Sequence, residues 1–204
     1  MTKRKSPAVS IGLRAKTARA IAVVLGGPTT SPIVIKRAEL ILWDPAMPAT
    51  NQPYHEVMDL PWEQSKVAVQ KSALRIESIA SKALGDLIRD VTVEGFTVCG
   101  VGIAGAGDRN LDKIGSTHIR AHSAEGVLFR HALEVAAATN RLRSTSFDER
   151  TLEQTAASEL RRSIDDLKVR LAEMGRAIGS PWRADEKSAA LAAWLALAAY
   201  GRKR

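Results

Sequence analysis

The chain has 204 residues, a net charge of +8 and a single cysteine, Cys99. Its 45% hydrophobic content is enough for one well-buried core, so we expect one domain spanning 1–204. One cysteine excludes an intrachain disulfide, and we expect Cys99 to be a small buried hydrophobe. No apolar run reaches the roughly 20 residues of a membrane span, and the first residues lack the apolar centre of a secretory signal. We therefore expect a cytoplasmic protein without a membrane partner.

The positive charge is concentrated near the N-terminus. The first 38 residues contain eight Lys and Arg and no acid, whereas the rest of the chain is balanced. Such a field favours a polyanionic partner, nucleic acid first, because neutralising phosphates releases counterions. The alternative is that basic tails at 1–8 and 201–204 are simply solvated.

The first part of the chain predicts strands. AVSIGLRAKTARAIAVVLGG (8–27) is typical of one long strand or of two with a bend, and SPIVIKRAELILWDP (31–45) of another, because aliphatic and β-branched residues are bounded by Gly and Pro. Residues 44–62 contain four prolines and no clear period, which predicts a surface loop. From 63 to 89, apolar residues recur at three- and four-residue steps and predict a helix.

The second part alternates between strand and helix patterns. GFTVCGVGIAG (95–105) predicts a buried strand, and a polar, Gly-rich loop is expected to follow to about residue 122. A helix is then predicted over 124–140, a strand at 141–147, and two further helices at about 151–174 and 185–200. This order predicts a mixed α/β sheet with helices on its faces.

The segment GVGIAG (100–105) matches the dinucleotide-binding pattern G-x-G-x-x-G. That pattern binds a pyrophosphate only where the glycines open a helix, and the polar sequence after Gly105 predicts none. We therefore favour a tight turn at the end of the strand, with glycines supplying positive φ.

Four segments together resemble the RNase H-like fold, in particular YqgF-type Holliday junction resolvases or pre-ribosomal-RNA nucleases, which are relatives of RuvC. SIGLRAKTARAIAVVL (10–25) resembles the first strand and its hairpin partner, and FTVCGVGIAGAGD (96–108) is similar to the strand with a Gly-rich, substrate-facing turn. STSFDERTLEQTAASEL (144–160) resembles the family's strand, Asp-Glu-Arg triplet and helix. ADEKSAALAAWLAL (184–197) resembles the C-terminal helix that packs on the sheet. The resemblance implies an antiparallel first part of the sheet followed by parallel strands.

The chemistry of this family requires several carboxylates to converge on two Mg²⁺ ions, which hold the attacking and leaving oxygens. The family places one acid on the first strand, one at the end of a later strand and one at the start of the last helix. The resemblance assigns Asp148 or Glu149 to the second position and Asp185 or Glu186 to the third.

The first of these acids is missing. The family strand places it at Leu13, or by a shift of one at Gly12 or Arg14, and no acid occurs before Glu39. Ala189 also stands where RuvC-type enzymes carry a further acid. We expect Arg14 to form a salt bridge with the remaining acids in place of a metal, so our prediction includes no metal site. Mg²⁺ is the cofactor only if the site is active.

The histidines offer little to replace the carboxylate. His118 and His122 stand four apart and would share one face of a helix, as a Zn²⁺ site requires. The stretch STHIRAHS lacks a clear helical pattern, however, and favours two polar loop histidines. His131 is expected to be a surface or partly buried helix residue.

We therefore expect an RNase H-like, nuclease-related protein that binds branched DNA or structured RNA, with metal-dependent hydrolysis disfavoured. The residues expected to contact nucleic acid are Arg14, Lys16, Arg19 and Arg150. An active Mg²⁺-dependent endonuclease and an actin-like, BadF-type phosphate-binding relative are alternatives. A further alternative is a protein-interaction module, in which the apolar helix with an exposed stripe around Trp194, or the proline-rich segment around Trp62, meets a partner chain. The sequence leaves a homodimer open.

Overall fold

The computed structural model describes residues 6–202 and contains one five-stranded mixed sheet. The strand order is β3-β2-β1-β4-β5. The first three strands pair antiparallel, whereas β4 is parallel to β1 and β5 is parallel to β4. The predicted mixed sheet is therefore confirmed. Most residues of the two predicted basic tails, 1–8 and 201–204, lie outside the described range. The strands are β1 (Ala8–Lys16), β2 (Arg19–Gly26), β3 (Ile33–Ile41), β4 (Thr97–Gly105) and β5 (Ser144–Asp148).

The first two strands form a hairpin, which resolves the alternative left open for residues 8–27. Lys16 pairs with Arg19, and the tight turn between them places Ala18 at a φ of 63°. Since β2 is antiparallel to both β1 and β3, strands β1, β3, β4 and β5 all end at the same edge of the sheet. Segments that follow these strands are thereby brought to this edge.

Within residues 6–202, six α-helices cover the sheet, and three of the predicted helices need correction. The helix expected over 63–89 is divided at Val69, and the one expected over 151–174 is divided after Leu160, where Arg161 adopts a left-handed conformation. The helix expected from 124 begins earlier, at Thr117, where the Ser116 side chain accepts a hydrogen bond from the Ile119 backbone. The helices are α1 (Trp62–Ala68), α2 (Gln70–Val93), α3 (Thr117–Thr139), α4 (Leu152–Leu160), α5 (Ile164–Ile178) and α6 (Ala184–Gly201).

The early start of α3 overturns the prediction that His118 and His122 lie in a polar loop. Both belong to the first two turns of the helix and stand one above the other on its surface. His131, farther along α3, is exposed, as expected.

The helices form one layer on each face of the sheet. Odd-numbered β1 residues such as Ile11 and Leu13 pack with α2 and α3, whereas the core on the other face is built from α4, α5 and α6. Alternation along the strand therefore turns Ser10, Gly12 and Arg14 toward α6. The Ser10 hydroxyl accordingly donates to the Ala193 carbonyl of α6 over 2.7 Å.

Glycines of β1 and β4 allow α6 to approach the sheet. A Cβ atom at Gly12 would lie 1.8 Å from the Ala189 carbonyl oxygen, and one at Gly102 would lie 2.1 Å from that of Ala192. The predicted turn at 100–105 is therefore wrong: these residues continue β4, and none has a positive φ. Their sequence reflects helix packing instead, and the next α-helix begins only at Thr117.

Two further expectations about buried residues are corrected. Trp194 is fully buried, and its Nε1 donates to the Thr29 carbonyl over 2.8 Å, so α6 has no exposed tryptophan stripe. Cys99 is half-buried rather than fully buried. Among the described helices, none is both long and apolar enough to span a bilayer.

Candidate functional site

Three predicted elements meet where the parallel strands end: the last residues of β1, the segment after β5 and the first turn of α6. Glu149 directly follows β5, and Asp185 is the second residue of α6. Both lie on the α6 face, which Arg14 also faces. The structure therefore brings the second and third predicted carboxylate positions to the strand on which the first is missing.

Arg14 occupies the space between these two acids. Its Nη2 forms an ion pair with Glu149 Oε2, and its Nε lies 3.6 Å from Asp185 Oδ1. The Arg14 side chain is only 13% exposed, against 38% for Glu149 and 30% for Asp185. Its Nη1 also donates to the Ala15 carbonyl over 2.7 Å. The expected salt bridge is therefore present, and the guanidinium is the most enclosed of the three groups.

A second cation completes the charge balance. Lys16 Nζ lies 3.5 Å from Asp185 Oδ1, so two positive side chains face two carboxylates. In a two-metal site, the metal ions would supply the positive charge at this place. Here the protein supplies it from its own first strand, and a metal ion would have to displace Arg14.

Asp148 belongs to the same triplet but is turned toward Arg150. Its Oδ1 accepts a hydrogen bond from the Arg150 backbone over 3.0 Å, and its Oδ2 accepts one from Arg150 Nη2 over 2.8 Å. The Arg150 guanidinium, followed by the backbone hydrogen bond, lowers the pKa of Asp148 to about 2. The Asp148 side chain does not cap α4, because Thr151 is the residue preceding that helix.

Glu186 has a structural role and does not join the Arg14 cluster. It is buried, and its Oε2 accepts a hydrogen bond from the Arg183 backbone over 2.8 Å. This contact satisfies an N–H at the start of α6, as a capping box does. A glutamate in the first turn of an acid-led helix is a signal that would have indicated this role.

The cations predicted to bind nucleic acid are all engaged in ion pairs. Besides Arg14 and Lys16, Arg150 pairs with Asp148, and Arg19 lies 3.4 Å from Glu39. Arg19 also begins β2, at the turn of the hairpin. These four residues therefore do not form a free basic surface.

A cleft next to Glu149 contains cations that the sequence analysis missed. It has a volume of about 540 Å³ and lies between α4, α5 and α6. Glu149 and Glu153 line it, as do two exposed lysines, Lys168 of α5 and Lys187 of α6. Neither lysine has an ion-pair partner within residues 6–202. The i, i+4 pattern of these helices predicts exposed lysines, but only the packing of α4, α5 and α6 in one core brings the two to the same cleft.

Comparison with solved structures identifies the fold. The chain is similar to the Thermus thermophilus RuvC structure, with 13% sequence identity, a TM-score of 0.51 and 96% of each chain covered. T. thermophilus RuvC in complex with Holliday junction substrate matches with 12% identity and a TM-score of 0.49, over 96% of this chain and 95% of that one. The sequence matches no protein-family model and no curated protein. The first likeness confirms the predicted RNase H-like fold.

Proposed function

We propose that this chain, which has the RNase H-like fold seen in RuvC, binds structured nucleic acid without two-metal hydrolysis. The observation that carries the proposal is the position of Arg14, between the two acids that the resemblance assigns to metal binding. A guanidinium is always charged and has only hydrogen-bond donors, so it repels a metal ion while it satisfies the carboxylates.

The cleft beside this cluster supports retained binding. Lys168 and Lys187 are exposed and lack ion-pair partners in the described residues, whereas the nearby Arg14, Lys16 and Arg150 are paired. Free lysines beside a groove attract phosphates without requiring a particular base sequence. The bound state therefore depends on backbone contacts and on the shape of the nucleic acid.

The interaction-module alternative loses its support from α6, because the Trp194 side chain of that helix is fully buried rather than exposed. The active-nuclease alternative requires a metal ion to displace the Arg14 guanidinium from its position between the two acids. We therefore retain it only as an outcome of the experiment below.

The experiment measures binding of the chain to a four-way DNA junction, a structured RNA and a linear duplex across a salt series. We expect affinity for the branched or structured forms to fall as salt rises. Replacing both cleft lysines (Lys168→Glu with Lys187→Glu) should reduce the salt slope by about 2, since each lost phosphate contact removes about 0.9.

The matched control is Lys71→Glu, because Lys71 is an exposed lysine of α2, in the layer on the opposite face of the sheet. It should leave both affinity and slope unchanged. Absence of binding at low salt, or an equal effect of the control, would overturn the proposal. Mg²⁺- or Mn²⁺-dependent cleavage that disappears in Glu149→Gln would establish an active nuclease instead.

A further inference from the structure

Three of the four histidines converge on the α2 and α3 side of the sheet. His118 and His122 project from the start of α3, and His55 comes from the proline-rich segment between β3 and α1. The ring centroid of His122 lies 4.5 Å from that of His118 and 4.4 Å from that of His55. The side chains of a distant loop and a helix thus meet at one point.

The nitrogen atoms have the spacing of metal ligands. One ring nitrogen from each histidine can be chosen so that all three lie within 4.8 Å of one another. Nε2 of His118 and Nε2 of His122 are 3.1 Å apart. Two nitrogens that bind a tetrahedral zinc ion at 2.0–2.1 Å are about 3.3 Å apart, so these two need to move little.

A buried carboxylate orients the third histidine. Glu125 is fully buried, and its Oε1 accepts hydrogen bonds from His55 Nδ1 over 2.8 Å and from the His55 backbone over 3.3 Å. A carboxylate that accepts from Nδ1 leaves the lone pair of Nε2 available, as it does for many metal-binding histidines. His55 Nε2 is itself buried and has no hydrogen-bond partner.

An unpartnered buried nitrogen destabilises the fold unless something binds it. His118 and His122 are exposed, so a metal ion has access from solvent. Three imidazoles suit zinc and its neighbours in the transition series, whereas Mg²⁺ prefers oxygen ligands. No other His, Cys, Asp or Glu within residues 6–202 joins the group.

We propose that His55, His118 and His122 bind one Zn²⁺ ion through their Nε2 atoms, with the fourth position open to solvent. Glu125 is the positioning residue that holds His55. The ion ties the proline-rich segment 44–61 to the first turns of α3. This site is separate from the Arg14 cluster, which lies on the α6 face, and it does not depend on the proposed nucleic-acid binding.

The test is Zn²⁺ titration of the untagged, metal-stripped chain by calorimetry. We expect one equivalent per chain, with affinity reduced by more than about 100-fold in His118→Ala and His122→Ala, which exceeds the usual loss of an outer partner. His131→Ala is the matched control, because His131 is an exposed histidine of the same helix that contacts Glu134 instead. The control should bind as the unmodified chain does.

Two further readouts separate metal binding from folding. Saturating Zn²⁺ should raise the melting temperature of the unmodified chain and of His131→Ala, but not that of His122→Ala. Glu125→Gln should keep the stoichiometry of one and weaken binding by about 10- to 100-fold. Substoichiometric binding by the unmodified chain, or an equal loss in His131→Ala, would overturn the proposal.

Discussion

The two sides of the sheet each gather ligand-type side chains, but they differ in how their charges and lone pairs are satisfied. On the α6 side, Glu149 and Asp185 are neutralised by Arg14 and Lys16. On the α3 side, the ring nitrogens of three histidines lie close together, and within residues 6–202 the buried Nε2 of His55 has no hydrogen-bond partner. The arrangement of partners, more than the number of ligand-type residues, therefore determines where an ion can bind.

The two clusters also differ in how the fold brings their residues together. The α6 cluster depends on close packing, since Asp185 reaches Arg14 only because glycines allow α6 to lie against β1 and β4. The histidine cluster depends on a loop that reaches across to α3 through side-chain contacts. Variants can therefore disturb one side while the other serves as an internal reference.

The largest effect is expected from Gly102→Ala. Its new Cβ would lie 2.1 Å from the Ala192 carbonyl oxygen, so α6 would have to move away from the sheet. We expect the free energy of unfolding to fall by about 3 kcal/mol, the upper part of the range for overpacked cores. Urea denaturation measures this. Zinc binding by the folded variant should persist, because the histidines lie on the other face.

Gly100→Ala provides the control for this substitution. Gly100 lies in the same strand as Gly102. A Cβ at Gly100 would lie 3.6 Å from the Arg143 carbonyl oxygen, which is an ordinary contact. The two variants should differ in stability by at least about 2 kcal/mol. Equal stability of the two variants would show that the glycines of β4 do not set the position of α6.

The second prediction concerns Arg14→Asp, which places an acid on β1 where the resemblance expects one. Without metal, three carboxylates would then lie together with only Lys16 left to balance their charge, which should lower the free energy of unfolding by about 2 kcal/mol. The loss is smaller than for a fully buried pair because Glu149 is partly exposed. Millimolar Mn²⁺ should restore this stability, because the ion replaces the missing positive charge.

Arg14→Leu removes the same cation without adding an acid. This variant should also lose stability, but Mn²⁺ should restore much less of it than in Arg14→Asp. Thermal melts with and without Mn²⁺ compare the two variants with the unmodified chain, which should not respond. If Arg14→Leu and Arg14→Asp respond equally, the guanidinium does not occupy a metal position.

The sequence predicted the elements well where the pattern is local. The strands, the mixed sheet and the meeting of Glu149 with Asp185 at Arg14 follow from apolar runs and from the resemblance. The start of α3 was missed because STHIRAHS lacks apolar periodicity, although Ser116 is a typical N-cap residue. The polar side chains of His118 and His122 concealed the helix that they share.

The contacts of the histidine cluster and of the lysine cleft could not be predicted in this way, because they join distant parts of the chain. His55 meets α3 only after the proline-rich segment folds back, and no local pattern specifies that path. Lys168 and Lys187 belong to different helices and share a cleft through packing. Burial of Glu125 was equally hidden, since a glutamate in a helix is usually exposed.

The smallest predicted effect is the pH dependence contributed by Asp148. Because Arg150 holds its folded pKa at about 2, below the ordinary value of 3.8, the pair contributes stability above pH 4. This contribution is lost as the pH falls from about 4 to 2, where the carboxylate becomes protonated in the folded state also. Allowing for partial exposure of the pair, Asp148→Asn should cost about 1 kcal/mol at pH 6 and almost nothing at pH 2. Urea denaturation of both chains at the two pH values measures the difference. A cost that stays the same at pH 2 would contradict the prediction, because it would mean that the contribution of Asp148 does not come from its charge.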